Sequence, residues 1–489
     1  MIIIKPKIDY DCDVLIVGGG PAGSGLAFHL ASKGINVIVV DAEKFPRDKI
    51  CGDGISPIAL GELDLMGITE TEKFKKANEI KKVGLFLNNE KVFIDLMKPE
   101  NVNFHARIIP RIELDALIVE AAKKATAKYI ESTRVVGYTI SENYALVNLK
   151  NGNKTYSLKT KLIVGADGSN STIARQLHGK KPGENYQLLG LRAYYDNVNG
   201  PTDRVDIYFN SEGFPGIFWM FPKGEKGANI GIAMISQTIP YKPEHIKELL
   251  LKHINNNPEI LKRIGKGFLE GKIEGCPITF FNPERKIISD RLILVGEAAG
   301  LINPLSGDGI QYALLSSRWA SETIEKCVNT NDFSEEILME YTNKLISEIG
   351  YDFAFSDLLV QFSRNKTFTP LWITIVKILI ARAKKDKEYA GIVAGIFEGT
   401  HPSYKALTIP FILKSILQAG VEIEETISSN LKKPESIVDY NLNKSRLILN
   451  MIKEIKQYPK DHIQWVANTI TKTVKVAHYV VKNSNDKKP

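Results

Sequence analysis

Cysteine is scarce in this chain: four thiols in 489 residues, Cys12, Cys51, Cys276 and Cys327, with no C-x-x-C pair among them. That spacing argues against a disulfide framework or a thiolate zinc site and for a reducing compartment, so a cytoplasmic setting is expected. The eight histidines make no H-x-x-x-H or other ligand spacing, and no metal is expected. Long hydrophobic runs are also missing. The most apolar stretch, residues 371–380, is interrupted and far short of the ~20 residues a membrane span needs, so no transmembrane helix is expected. Residues 1–7 are apolar but carry no small-residue cleavage site, and a sheet strand follows almost at once; no signal peptide is read there. There is no internal repeat and no low-complexity block. The length allows roughly three ordinary domains, and 44% hydrophobic with 25% charged residues is the composition of a globular protein.

Acidic residues are under-represented at one end. The formal net charge is +8, and residues 431–489 hold twelve Lys and Arg against five Asp and Glu, which places nearly all of the excess there. One reading is a solvated helical face. A sharper one is attraction to an anionic membrane surface, where each basic residue contributes on the order of 1 kcal/mol. No recognition motif accompanies the charge, so nucleic acid is not expected as a partner. Ile463, Val466, Ala467, Ile470, Val474, Ala477 and Val481 recur at helical spacing, as do Ile448, Met451, Ile452 and Ile455. Core packing is the default reading of these stripes; a hydrophobic ligand channel or an interfacial helix are the alternatives.

What the chain has is a strand that runs straight into a glycine turn. Val14-Leu15-Ile16-Val17 suits a strand buried on both faces of a parallel sheet. Gly18, Gly20 and Gly23 follow at G-x-G-x-x-G spacing, one for the tight turn, one for backbone approach to a pyrophosphate, one for close helix packing. A helix to Gly34 and a second buried strand, Val37-Ile38-Val39-Val40, lead to Asp41, about 20 residues past the glycines, where an acid takes adenosine ribose hydroxyls. The pattern predicts dinucleotide binding.

Two further motifs stand behind buried strands. Residues 161–164 lead to Asp167-Gly168, with Ser169, Ser171 and Arg175 beyond. Residues 291–295 lead to Gly296-Glu297-Ala298-Ala299-Gly300, then Asn303-Pro304-Leu305-Ser306-Gly307-Asp308-Gly309-Ile310 and a helix. A helix N-terminus carries free N–H groups and partial positive charge, so that turn presents amides to a developing negative charge such as the N1–C2=O edge of a reduced flavin. Between these motifs, residues 81–103 read as short strands, with Val83, Leu85 and Leu87 alternating against Gly84 and Phe86. Residues 186–280 shift to aromatic-rich alternating strands, and everything after about residue 330 reads as helical.

With three motifs in this order, the chain resembles the FAD-binding para-hydroxybenzoate hydroxylase superfamily. Within it, Lys49-Ile50-Cys51-Gly52-Asp53-Gly54 and Trp219-Met220-Phe221-Pro222-Lys223-Gly224 resemble the archaeal geranylgeranyl reductase family, which saturates isoprenoid chains of ether lipids. The resemblance covers roughly residues 11–323. It implies an α/β fold: a Rossmann-like FAD-binding domain (residues 10–80, 105–185 and 286–330), an inserted antiparallel β-sheet substrate domain (81–104 and 186–285) and a C-terminal helical region (331–489). Two positions depart from the family pattern. Glu297 stands where Asp is usual, and Ile217 where a tyrosine precedes the tryptophan by two residues; Phe214 replaces a leading proline, with Pro215 displaced by one.

Residue roles follow from the matching positions. The resemblance implies Gly18, Gly20 and Gly23 at the pyrophosphate, Asp41 at the ribose, Arg111 along the phosphate–ribose stretch, and Val135 or Val136 beside the adenine. Arg47 is either a phosphate contact or an exposed loop arginine. Glu297 would hold the ribityl chain, Gly309 and Ile310 the ring through their amides, and Cys51, Gly52 and Gly54 would edge the isoalloxazine. Cys51 is either a small buried apolar residue or a redox or substrate-positioning group. Ile217, Trp219, Phe221 and Pro222 would line the substrate side, with Cys51 and Trp219 as the candidate catalytic residues. The implied reaction reduces isolated C=C bonds of a geranylgeranyl chain in a membrane lipid or its precursor, at the inner face of the cell membrane. No second G-x-G-x-x-G marks a nicotinamide site, so the reductant is NAD(P)H or ferredoxin. A monooxygenase or halogenase of the same fold is the rival; halogenases carry W-x-W-x-I-P where residues 217–222 stand here, and the first tryptophan is missing. A flavin-dependent isomerase or cyclase without net redox change is a third reading.

Overall fold

The aliphatic run at the start of the chain becomes the centre of a parallel sheet. In the computed structural model, which describes residues 9–88, 90–99, 102–180, 183–241, 245–406, 450 and 452–485, the strand Cys12–Val17 pairs in parallel with Val37–Val40 on one side and Lys154–Gly165 on the other. Lys128–Ile130 and Leu292–Leu294 extend the sheet in parallel, and Ile288–Ser289 adds an antiparallel edge. A hairpin, Arg134–Ile140 with Ala145–Asn151, pairs onto Lys154–Gly165. Every residue of Val37–Val40 and Leu292–Leu294 is buried, as continuous Val/Ile/Leu runs require in a sheet covered on both faces. Because the central strand is flanked on opposite sides by strands that follow it, its carboxyl end is a switch point, the place where such sheets hold ligands.

Two compact units form. One takes in the described residues of Met1–Glu79, Lys98–Leu188 and Gly275–Gly350; the other takes in those of Ile80–Met97, Leu189–Glu274 and Tyr351–Pro489. The first unit adds a small sheet, Gly54–Ile55 and Asn78–Glu79 on either side of Arg107–Ile108, and a core in which Leu60, Leu63, Phe74, Leu114, Ile118 and Leu314 pack together.

The second unit is built on a seven-stranded sheet in the order Phe268–Thr279, Gln187–Asp196, Gly227–Ile235, Ile217–Lys223, Arg204–Phe209, Lys82–Leu87, Glu90–Asp95. The expected strand at Lys82–Leu87 is present, but Val83 to Leu87 are buried without alternation. The cause lies in its parallel neighbour. Gly84 must be small because a Cβ there would stand 2.4 Å from Asp206 Oδ1, and Phe86 stacks on Tyr208 at 4.6 Å.

The described residues beyond 330 are mostly helical, with Glu335–Ser363, Thr369–Lys385, Lys387–Phe397 and Pro459–Asn485 as the longest elements. Among the described residues no helix is long and apolar enough to cross a membrane. Core packing of the last stripe is not what the structure shows: Ile463, Val466, Ile470 and Val474 are 69, 47, 59 and 63% exposed. Ile452 and Ile455 are exposed as well. Residues 1–7, Ile448 and Met451 lie outside the described residues, as does the side chain of Val481.

Candidate active site

At the glycine turn each residue's need for glycine can be read from what a Cβ would meet. At Gly18, with φ +100°, it would lie 2.4 Å from the Ala166 carbonyl oxygen; at Gly23 it would lie 1.8 Å from the Gly18 carbonyl oxygen. Gly20 differs. Only Arg47 Nη2, at 3.5 Å, comes within 4 Å of its Cβ position, so the backbone there borders open space. This is the cradle a pyrophosphate needs, at the N-cap of the helix Pro21–Ala31. Asp41 is buried and holds the turn as well as ending its strand. Its Oδ2 accepts from Gly19 N–H at 2.6 Å, and Oδ1 accepts from Glu43 N–H at 2.9 Å. Thr133 N–H donates to the Asp41 carbonyl at 2.9 Å, which sets the start of Arg134–Ile140 beside it. There Val135 is buried whereas Val136 is 49% exposed.

Arg47 is not an exposed loop arginine. It bonds Asp115 at 3.0 Å, lies 4.9 Å over the Phe45 ring and stands at the mouth of the cradle. Arg111 is buried, and its guanidinium forks onto Asp115 at 2.7 and 2.9 Å, so its main partner is a carboxylate within its own helix. Burial opposes the Arg111 charge, but Asp115 outweighs it and pushes the pKa up. Its N–H donates to Asp53 Oδ1 at 3.3 Å, which ties the helix Arg111–Lys124 to the Cys51-Gly52-Asp53-Gly54 loop.

That loop meets the third motif. Lys49 Nζ donates to Glu297 Oε2 at 2.8 Å, and Ser169 Oγ also donates to Glu297. Burial alone would raise the Glu297 pKa; Lys49, with help from Ser169 and Arg111, outweighs it and lowers it, so this carboxylate is ionised. Burial pushes the Cys51 thiol up, against the pull of Arg111, and keeps it protonated. Cys276, from the end of Phe268–Thr279, is pushed up to about 11, first by burial and then by the Glu297 charge. In the last turn, Asp308 Oδ1 accepts from Gln311 N–H at 3.3 Å. The other oxygen, Oδ2, is shut off from solvent without a hydrogen-bond partner, and burial pushes Asp308 up to about 6.

In the second unit the strand Ile217–Lys223 alternates strictly. Phe218, Met220 and Pro222 are buried on one face; Ile217, Trp219 and Phe221 are half-buried on the other. Pro222 thus points away from the three residues with which it was grouped. Trp219 is held by the next strand, Gly227–Ile235. Its Nε1–H donates to Asn229 Oδ1 at 2.9 Å, and it lies so flat on Gly231 that a Cβ there would stand 2.1 Å from Trp219 Cζ2. Phe221 lies 6.3 Å from the indole.

Gly18, Gly20, Gly23, Asp41, Val135, Cys51, Gly52, Gly54, Arg111, Glu297, Gly309 and Ile310 fall in the first unit; Ile217, Trp219, Phe221 and Pro222 fall in the second. Sequence reasoning missed Lys49 and Ser169 as partners of Glu297, Asp115 as partner of Arg111, and Asn229 and Gly231 behind Trp219. Only the last pair left a trace: a glycine facing an aromatic across a short hairpin.

Comparison with known proteins shows the family and the fold. The FAD binding domain family matches residues 11–318. The digeranylgeranylglycerophospholipid reductase of Methanocaldococcus jannaschii is 30% identical over 355 residues, which is 71% of this chain and 85% of that protein. The menaquinone reductase of Mycolicibacterium smegmatis is 30% identical over 327 residues, 63% of this chain and 75% of that protein. Among solved structures, a geranylgeranyl bacteriochlorophyll reductase-like protein from Thermoplasma acidophilum shares the fold, with a TM-score of 0.66 at 22% identity, covering 86% of this chain and 98% of its own.

Proposed function

Because the chain belongs to the FAD-binding-domain family and, within it, to the geranylgeranyl reductases, we propose that this FAD-dependent oxidoreductase saturates C=C bonds of an isoprenoid chain in a membrane lipid or lipid precursor. The observation that carries the reading is the half-buried face of Ile217, Trp219 and Phe221, whose one charged member is Lys223 at the strand's end. An isolated alkene has no carbonyl to polarise. Its reduction asks for orientation, exclusion of water and a proton, and an aromatic wall supplies the first two.

FAD, when bound and reduced, supplies the hydride. In this reading the first unit holds it: Gly18, Gly20 and Gly23 with Arg47 at the pyrophosphate, Asp41 at the ribose, Val135 by the adenine, Glu297 at the ribityl chain, and Cys51, Gly52, Gly54, Gly309 and Ile310 at the ring. Arg111, turned onto Asp115, fixes the Cys51 loop. Cys51 Sγ keeps its proton, which suits it to hold a proton rather than to attack as a thiolate. The second unit takes the prenyl chain on its aromatic face. Electrons come from NAD(P)H or ferredoxin, and the lipid substrate places the enzyme at the membrane periphery.

Stopped-flow absorbance tests the reading. Enzyme reduced with dithionite and mixed anaerobically with a geranylgeranyl lipid should regain the oxidised flavin spectrum. Flavin that stays reduced until oxygen enters would mark a monooxygenase or halogenase instead, and a rearranged lipid of unchanged mass an isomerase or cyclase.

A further inference from the structure

The helix Pro459–Asn485 shows two faces that its apolar spacing alone does not order. Its inner face is fixed by specific contacts. Trp465 Nε1–H donates to the Gln361 carbonyl at 2.8 Å, and its ring packs against Phe362 and Phe368. His462 bonds Thr367 Oγ1 at 3.2 Å, and Lys472 pairs with the largely buried carboxylate of Asp357. These positions all point the same way around the helix and lock its rotation. Ile463, Val466, Ile470 and Val474 are consequently turned outward, each roughly half exposed or more. Four β-branched residues on one outward stripe, with no charge among them, are not a solvated face; contiguous exposed apolar surface marks an interaction site.

The charges around the stripe choose the partner. Apart from Lys472, which is turned inward onto Asp357, residues 452–485 contain Lys453, Lys456, Lys460, Lys475 and Lys482 against Glu454 and Asp461. Lys453, Lys456 and Lys460 are exposed. A second copy of this chain would bring the same cations against themselves, which disfavours a symmetric pairing of two such faces. An anionic bilayer answers both features at once, since an amphipathic helix with a basic rim lies in the headgroup plane with its apolar stripe among the acyl chains.

We propose that the outward face of Pro459–Asn485 docks the protein onto an anionic lipid surface, with Ile463, Val466, Ile470 and Val474 inserted and the neighbouring lysines on the headgroups. The inference goes beyond the redox reaction and is read without it. The full-length holoprotein is sedimented with vesicles of phosphatidylcholine containing phosphatidylglycerol, and the quadruple variant Ile463→Asn, Val466→Asn, Ile470→Asn, Val474→Asn is compared at equal flavin content. The variant should partition at least tenfold less, while its anaerobic flavin reoxidation by a detergent-solubilised prenyl lipid matches wild type. Lys453→Gln with Lys456→Gln and Lys460→Gln should weaken binding and flatten its salt dependence. Unchanged partitioning of the asparagine variant overturns the proposal. So does a wild-type dimer that the variant abolishes, which would make a second copy the occupant. A variant that melts several degrees lower also overturns it, because the stripe would then be covered by the chain's own segment. Loss of prenyl-lipid turnover in both proteins, with vesicle binding intact in wild type, would count against the reaction and not against the surface.

Discussion

At Gly20 the physical demand is space: a side chain there would fill the opening that the proposed reading gives to a pyrophosphate. Gly20→Trp should give a folded protein that purifies without flavin, read from absorbance per polypeptide; wild-type flavin content would show the turn holds something else. Asp308 makes a demand of a different kind. Its carboxyl is pushed up to about 6 by burial, above its value in an unfolded chain, so the protonated form favours the fold. Its contribution is complete below about pH 4 and is lost as pH rises through 6. Asp308→Asn keeps an acceptor for Gln311 N–H and removes that loss. The apoprotein variant should therefore gain about 1–3 kcal/mol over wild type at pH 7.5 and nothing at pH 4, measured by urea denaturation at both pH values. An equal gain at both would disconnect it from ionisation. Trp219 is the third case. If the indole orients an alkene, Trp219→Ala should keep flavin and slow single-turnover reoxidation by about a hundredfold, the cost of misplacing a reacting carbon by ~1 Å. If it only fills a core, the variant loses ~3–5 kcal/mol of stability with its rate unchanged.

Elements in the second unit are tied by one buried charge. Asp206, on Arg204–Phe209, is fully buried and accepts from Arg204 Nε at 2.7 Å and from Arg263 Nη1 at 2.5 Å, joining that strand to the helix Pro258–Ile264. Removing one partner leaves buried cations uncompensated, so Asp206→Ala should cost about 3–5 kcal/mol as a shift in the chemical denaturation curve; a loss below about 1 kcal/mol would show that water replaces the carboxylate. The same scale explains what the chain disclosed before folding. The turn from Val17 to Gly23 was legible because strand, glycines and helix are contiguous and each residue's task is local. The Lys49–Glu297–Ser169 cluster was not, because three separate segments meet there and no spacing records it. Trp219 was legible as an aromatic in a strand, but its support by Asn229 and Gly231 depends on register across a hairpin. The last helix was legible in its period, but the sequence left its burial open between core packing and an interfacial face. Spacing places Ile463, Val466, Ile470 and Val474 on one face, whereas Trp465, His462 and Lys472 decide which way that face turns.

For the whole molecule, the central claim is that a flavin site and a largely apolar, aromatic wall serve the reduction of an unactivated alkene. A glycine cradle alone fits many flavoenzymes, and the family relationship covers reductases of different lipids. Product mass separates these directly. Enzyme is reduced anaerobically to a known equivalent of flavin, mixed with a digeranylgeranyl glycerolipid, and the lipid is analysed by mass spectrometry after one turnover. The account predicts that two hydrogens are added to one C=C bond for each flavin reoxidised, with no oxygen required. Lipid of unchanged mass beside flavin that remains reduced, or lipid that gains oxygen or halogen only when air is admitted, would contradict it.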